Sequence, residues 1–206
     1  MPRADDPVIR DRKAALAAAV APAPAIGPLT PHLYTPSPAR PMRAKLQHLK
    51  TDTRVVLHNH PWAQLAISTT GVVRLSAERG TYIVPPSRAL WIPPGVDHAL
   101  TVVEGADLLT LYLHQPRGRC GPEVPRAQET AWRRCRVLEV SGLLRALALE
   151  MDMRPDADGA APSAEALQRE RRLGALICDE LRRAAPVRLG VDLPAEKRLR
   201  ALCEAV

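Results

Sequence analysis

The 206-residue sequence has no phenylalanine, only 3% aromatic residues and no long uninterrupted hydrophobic run. A membrane-spanning helix needs about 20 consecutive apolar residues, and here Arg, Pro or Asp interrupts every apolar stretch. We therefore expect no membrane span. With 46% hydrophobic and 25% charged residues, the composition excludes a fibrous or fully disordered chain and is typical of a globular protein with one or two domains.

Several common functional signatures are also missing. The four cysteines form no CxxC pair, which argues against a zinc cluster or a disulfide framework and favours buried thiols in the reducing cytoplasm. The 11 glycines all occur singly, so no glycine-rich phosphate loop is present. The formal net charge of +7 is shared almost equally between residues 1–116 and 117–206, whereas a DNA-reading surface concentrates positive charge. No Ser-His-Asp or Cys-His arrangement is apparent, so we predict no catalytic residue.

The sequence divides into three segments. Residues 1–42 contain many prolines and are predicted to be a mostly flexible arm, and Asp5, Asp6 and Asp11 argue against a secretory signal and favour a cytoplasmic protein. Residues 43–116 show short apolar runs separated by turn signals, which predicts a β-sandwich or barrel. Its expected strands are Arg54–His60, Gln64–Ser68, Val72–Ser76, Thr81–Val84, Ala89–Ile92, Ala99–Val103 and Leu108–Leu113.

Residues 117–206 are predicted to form a linker followed by amphipathic helices. Ser141 and Ser163 are expected helix N-caps, and a further helix is expected to begin near Asp192 and to be still running at Val206, as if it led into another domain. The apolar stripes of the first two helices either cover the barrel or form a dimer surface. The candidate dimer residues are Leu143, Leu144, Leu147, Leu173, Leu176 and Ile177.

Three histidines form the most specific pattern in the sequence. His58 and His60 are two residues apart in a predicted strand, so their side chains should share a face, and Gln64 follows four residues later. A turn then brings His98 to the start of another strand. Three imidazoles and a carboxamide suit a divalent metal such as Zn, Fe, Mn or Ni, or a metal-free pocket that hydrogen-bonds an organic ligand. Aromatic residues are expected to line this pocket: Trp62, Tyr82, Trp91 and Tyr112.

These residues also carry a resemblance to a known family. The string His58-Asn-His-Pro-Trp-Ala-Gln-Leu65 resembles the first cupin motif, with Gln64 in place of its usual Glu, and Pro85 to His98 resembles the second. More narrowly, HxHPWxQL followed by PPxRAxWIPxGxxH is similar to the N-terminal ligand-binding and dimerisation domain of AraC-type transcription regulators. The similarity continues through about residues 50–206.

The resemblance implies a cupin barrel, an RmlC-like jelly roll or double-stranded β-helix, in a mainly β fold with C-terminal helices. It also implies a small-molecule effector, a homodimer, and DNA binding only through a helix-turn-helix domain, of which this sequence shows no pattern. Val102 and Ser87 replace the Asn and the opening Gly of the general cupin motif. The alternative is a stand-alone cupin metalloenzyme, a dioxygenase or isomerase, that uses the three histidines around Fe, Mn or Ni.

Overall fold

The computed structural model describes residues 25–27, 29–78, 80–156, 161–187 and 190–192. Within these ranges the chain forms two six-stranded sheets followed by helices. The first sheet has the strand order β1-β3-β8-β5-β6-β12 and the second β11-β10-β7-β4-β9-β2. The strands are β1 Ala25–Ile26, β2 Met42–Leu49, β3 Arg54–His58, β4 Ala63–Thr70, β5 Val73–Ala77, β6 Gly80–Val84, β7 Arg88–Ile92, β8 His98–Val102, β9 Ala106–Leu113, β10 Arg136–Glu139, β11 Pro186–Val187 and β12 Gly190–Asp192.

Two apolar layers hold the fold together. The first layer lies between the sheets and takes residues such as Val55 and Leu100 from the first sheet and Ala66 and Leu90 from the second. The second layer lies between the outer face of the second sheet and the helices. Successive strand residues face opposite sides of a sheet. The first six residues of β4 are all buried, so the strand is covered on both faces along most of its length. This explains why its sequence reads as an apolar run.

The two helices begin where the sequence predicts them. Helix α1 spans Gly142–Leu149 and helix α2 spans Ala164–Arg183. The Ser141 hydroxyl accepts a hydrogen bond from the backbone N–H of Leu144, and Ser163 caps α2 in the same way. Each cap satisfies a backbone N–H that has no partner within its helix. No helix in the described residues is long and apolar enough to cross a membrane.

The prediction of a mainly β fold with C-terminal helices is confirmed, and all seven expected strands occur with ends shifted by one or two residues. Two longer strands were missed. Strand β2 begins at the end of the predicted arm, and β10 lies in the predicted linker, where it pairs with β7. The segment after residue 117 therefore adds strands to the barrel as well as helices. The helix expected from Asp192 onward lies outside the described residues, apart from Asp192, which ends β12.

The described part of the predicted arm, from residue 25 onward, packs along the barrel. Ala25 and Ile26 pair in parallel with β3, and Pro31–Tyr34 form a 3-10 turn whose Tyr34 is buried. Prolines exclude a long helix here, but they are compatible with extended chain that packs along a sheet.

Two turn positions adopt left-handed backbone geometry. Gly71, between β4 and β5, has φ of 65°, and a methyl group there would come 2.8 Å from the carbonyl carbon of Gly105. Ser87, which replaces the usual motif glycine, has φ of 69°. The missing glycine is thus tolerated because the serine takes the left-handed conformation itself, at a modest steric cost.

We expect Gly71→Ala to destabilise the fold by more than its backbone angle alone explains. Gly95 has a similar φ of 73° but nothing within 4 Å of its would-be methyl group, so Gly95→Ala is the matched control. The left-handed angle should cost about 1–2 kcal/mol in both variants, and the clash with Gly105 should add about 1–3 kcal/mol to Gly71→Ala. Urea unfolding measures both, and equal losses would contradict the role given to Gly105.

Candidate functional site

The three predicted histidines meet at one end of the space between the sheets. His58 ends β3 and is the direct strand partner of His98, the first residue of β8. His60 lies two residues beyond β3, and its carbonyl accepts a hydrogen bond from the N–H of Gly95. The ring centroids of His58 and His98 are 4.3 Å apart, and those of His60 and His98 are 5.0 Å apart. One ring nitrogen from each histidine lies within 4.8 Å of the other two.

Backbone carbonyls fix which nitrogen each ring presents. Nδ1 of His58, His60 and His98 lies 2.9 Å from the carbonyl oxygen of Val56, Trp62 and Val96, respectively. A carbonyl oxygen only accepts hydrogen bonds, so each Nδ1 carries the proton. In the neutral ring Nε2 then holds a lone pair, and the three Nε2 atoms are the groups left to bind a ligand.

Burial keeps two of these rings neutral at pH 7. His98 is 1% exposed, and removal from water lowers its pKa to about 4. Burial likewise lowers the pKa of His60, helped by the nearby His58. Nε2 of His98 is buried and has no hydrogen-bond partner among the described residues. A buried acceptor without a partner is costly, and a bound cation or ligand donor would satisfy it.

Gln64 joins the cluster through His60. The carboxamide atom placed as Oε1 lies 2.7 Å from His60 Nε2. Because that nitrogen holds a lone pair, the carboxamide must turn its NH2 group towards the ring, a half-turn that exchanges two groups of similar size. Without an ion, the Gln64 NH2 group therefore donates to His60 Nε2; an ion bound at that nitrogen would replace this hydrogen bond and let the Gln64 oxygen face the ion instead.

The donor set fits a divalent metal ion after a small closure. Three nitrogens bound at about 2.0–2.1 Å in a tetrahedral site would lie about 3.3 Å apart, whereas the present separations reach 4.8 Å. His58 is only partly buried, so its ring has room to make this movement. The cluster of His58, His60 and His98 could therefore hold a metal, with Gln64 next to it.

Aromatic side chains form one wall of the site. Trp62 stacks on His60 with ring centroids 5.1 Å apart and planes 6° from parallel. Tyr112 contacts both rings edge-on, at 5.6 Å from His60 and 5.9 Å from Trp62. Burial raises the pKa of Tyr112, so its hydroxyl stays protonated. The wall thus offers flat apolar surface with polar tips.

The other two aromatic candidates lie elsewhere. Trp91 is the strand partner of Leu65 and belongs to the layer under the helices, where its Nε1 donates to the carbonyl of Trp132 at 2.8 Å. The prediction that Trp91 lines the pocket is therefore wrong: it lies one residue out of phase with the inward face. Tyr82, on β6, packs against the layer between the sheets.

Two inward-facing cations were missed in the sequence. Arg43 of β2 pairs with Tyr112, which in turn pairs with Gln64, so all three share one row on the inner face. Lys45 lies in the next row, with Thr110 and Ala66. Arg43 and Lys45 are 1% and 4% exposed. Their alternation with apolar residues resembles an ordinary strand with its charges in solvent, so only the pairing of β2 reveals them.

The predicted dimer residues fall into two groups. Three of them, Leu144, Leu147 and Ile177, are buried in the core of their own chain, and Leu173 packs against it. Leu143 and Leu176 are 56% and 51% exposed. The apolar stripe therefore covers the barrel with one side and leaves two leucines at the surface.

Comparison with known proteins agrees with this architecture. Residues 46–202 match the family model of the AraC-like ligand binding domain. The chain is 28% identical over 148 residues to the HTH-type transcriptional regulator NimR of Escherichia coli. The aligned region covers 72% of this chain and 48% of that protein. The chain thus spans about half the length of this curated relative.

Solved structures overlap with a smaller part of the chain. A conserved protein of unknown function from Streptococcus pyogenes covers 36% of this chain and 66% of its own, at 20% identity and a TM-score of 0.35. Oxalate decarboxylase of Bacillus subtilis, a protein with Mn(II) centres, covers 35% of this chain and 21% of its own, at 24% identity and a TM-score of 0.33. The family assignment rests on the sequence match: over residues 46–202 this chain belongs to the AraC-like ligand-binding domains.

Proposed function

We propose that this chain is the effector-sensing and dimerisation part of a cytoplasmic AraC-type transcription regulator. The observation that carries the proposal is the convergence of three imidazoles, with their Nε2 atoms presented together, between the sheets of a ligand-binding domain. DNA binding would belong to a helix-turn-helix domain of the intact regulator. The chain itself would bind the effector and pass the change to a partner copy.

The second sheet provides a direct route for that change. Gln64 and Tyr112 face the site, while their chain neighbours Leu65 and Leu111 face the helices. A ligand that moves β4 or β9 by a fraction of an ångström therefore also moves the surface on which α1 and α2 pack. Close-packed interiors transmit such shifts rather than absorb them.

We further propose that His58, His60 and His98 hold a divalent metal, Zn, Fe, Mn or Ni, with the Gln64 oxygen as the fourth ligand. A bound ion would supply positive charge and an open coordination position for an effector oxygen. The chain's own residues fix the imidazoles through carbonyl hydrogen bonds, and Trp62 stacks on the His60 ring. The carboxylate of Asp97 is engaged by Asn59 at 2.6 Å, which leaves it poorly placed to act as a general base.

Metal titration tests the centre. After treatment with EDTA, the protein should bind one equivalent of Zn²⁺ in calorimetry and gain thermal stability, because the folded state alone presents the three ligands together. Removing a ligand in His58→Ala or His98→Ala should weaken binding by at least about 100-fold. His32→Ala removes an exposed histidine and should leave binding unchanged.

His58 is only partly buried, so its variant should still fold and will separate ligand loss from unfolding. Unchanged Zn²⁺ affinity in a folded His58→Ala protein would overturn the metal centre. Turnover of an oxidisable substrate by the iron- or manganese-loaded protein would favour the metalloenzyme alternative instead.

Changing the neutral amide to a carboxylate should strengthen the same centre. Gln64→Glu places a negative charge beside the ion, and even at an effective dielectric constant of about 20 this attraction should raise Zn²⁺ affinity by about tenfold or more. The exposed Gln128 provides a matched control, since Gln128→Glu adds the same charge far from the cluster. An equal affinity in the Gln64→Glu and Gln128→Glu proteins would show that Gln64 does not adjoin the metal.

The exposed leucines of the helices are our proposed dimer surface. Replacing both in Leu143→Lys/Leu176→Lys should convert a dimer to a monomer in analytical ultracentrifugation without loss of secondary structure, because charge is excluded from an apolar interface. Val103→Lys is the control, since Val103 is 47% exposed but lies on a turn after β8. A double variant that remains dimeric would place the interface elsewhere.

A further inference from the structure

The space between the sheets contains more positive charge than the buried carboxylates can balance. Two glutamates are buried among the described residues, and both are paired outside this space: Glu129 with Arg119 and Arg133, and Glu170 with Arg40. The buried polar residues of the inner face are instead cationic or neutral. A charge removed from water without a partner is unfavourable, so this face is poised to accept a negative group.

Lys45 is the clearest case. Its ammonium group donates to the carbonyl of Leu29 and to the hydroxyl of Thr30, the latter at 3.0 Å, and also lies 5.2 Å from the ring centre of Tyr34. These partners are neutral. Burial lowers the pKa of Lys45 to about 8, and no described carboxylate opposes that shift. The group is still mostly charged at pH 7.

Arg43, on the same inner face, has one donor without a partner among the described residues. Its Nη1 binds the Asp156 carboxylate at 2.5–2.6 Å, and its Nη2 donates to the carbonyl of Arg154 at 2.8 Å. Its Nε is buried without an acceptor among the described residues. The two Nη contacts therefore anchor the guanidinium, while the Nε–H remains available.

Trp62 presents a second donor without a partner. Its Nε1–H is buried and has no acceptor in the described part of the chain. Tyr112 lies next to both residues, because its ring contacts the Trp62 ring and it is the strand partner of Arg43. An unpaired buried N–H is unfavourable, and one ligand with two acceptor oxygens could relieve both.

From this arrangement we infer that the effector is a small planar carboxylate, whose oxygens accept hydrogen bonds from Arg43 Nε and Trp62 Nε1 and whose charge is balanced by Lys45. The inference rests on the proposed effector-binding function and adds the chemical class of the ligand. A neutral ligand could satisfy the two N–H groups, but it would leave the Lys45 charge uncompensated. The stacked Trp62 and His60 rings provide the flat wall against which a planar ligand would lie.

Matched pairs of ligands test the charge directly. Ligand-observed NMR on the EDTA-treated full chain compares benzoate with benzamide, nicotinate with nicotinamide, and indole-3-acetate with indole-3-acetamide. We expect at least one carboxylate to bind, and to bind at least tenfold more tightly than its amide. Because chelation removes the metal, coordination of the carboxylate to an ion cannot produce this difference.

Variants then locate the binding. Lys45→Met keeps the length of the side chain and should weaken carboxylate binding at least tenfold, and Trp62→Phe keeps a ring but removes the N–H and should weaken it severalfold. Lys50→Met removes an exposed lysine that follows the same strand and should have no effect. Trp62→Phe also provides a readout if Lys45→Met fails to fold.

Equal binding of carboxylates and amides, or no loss in a folded Lys45→Met protein, would overturn the inference and leave the sensor proposal intact. If no carboxylate binds to a protein that still takes up Zn²⁺, the carboxylate inference is likewise overturned and the sensor proposal stands. Failure of the proposed function itself would be recognised separately, by loss of both Zn²⁺ binding and all ligand binding in the wild-type protein.

Discussion

The second sheet has to bury both of its faces, and the rest of the molecule depends on this constraint. Strands β4 and β9 are almost entirely removed from water, which requires a second sheet on one side and helices on the other. Period-two alternation then assigns each residue to one layer. Gln64 and Tyr112 face the space between the sheets, whereas Leu65 and Leu111 support the helices. A one-residue slip would exchange these layers, so the register defines the site and its support together.

Sequence reasoning was strongest where a local signal is complete within a few residues. The serine caps, the turns and the apolar runs are such signals, and the helices and seven strands follow them closely. It was weaker for β2 and β10, which are stabilised by pairing with distant strands. Met42 to Leu49 alternates charged and apolar residues, and β10 is only four residues long. Neither segment differs locally from linker, so tertiary pairing decides its structure.

The site divides in the same way. The spacing of His58 and His60 and the motif that ends at His98 predicted a cluster, and the structure brings the three rings together. Spacing could not show which nitrogens point inward, because that depends on backbone carbonyls placed by a bulge and two turns. It also misplaced Trp91, since an aromatic residue near a motif serves the core as readily as a pocket.

Charge balance connects the neutral Gln64 with the cations of β2. A divalent ion held by three neutral imidazoles and an amide keeps its full +2 charge, whereas a glutamate ligand would offset half of it. Lys45 adds a further charge on the inner face, and Arg43 is paired with Asp156, its one ion-pair partner among the described residues. Within the described ranges, the buried polar residues of the inner face thus include no carboxylate. An anionic ligand would balance this positive charge. Charge neutrality in the barrel would then depend on the effector, because Gln64 supplies no carboxylate of its own.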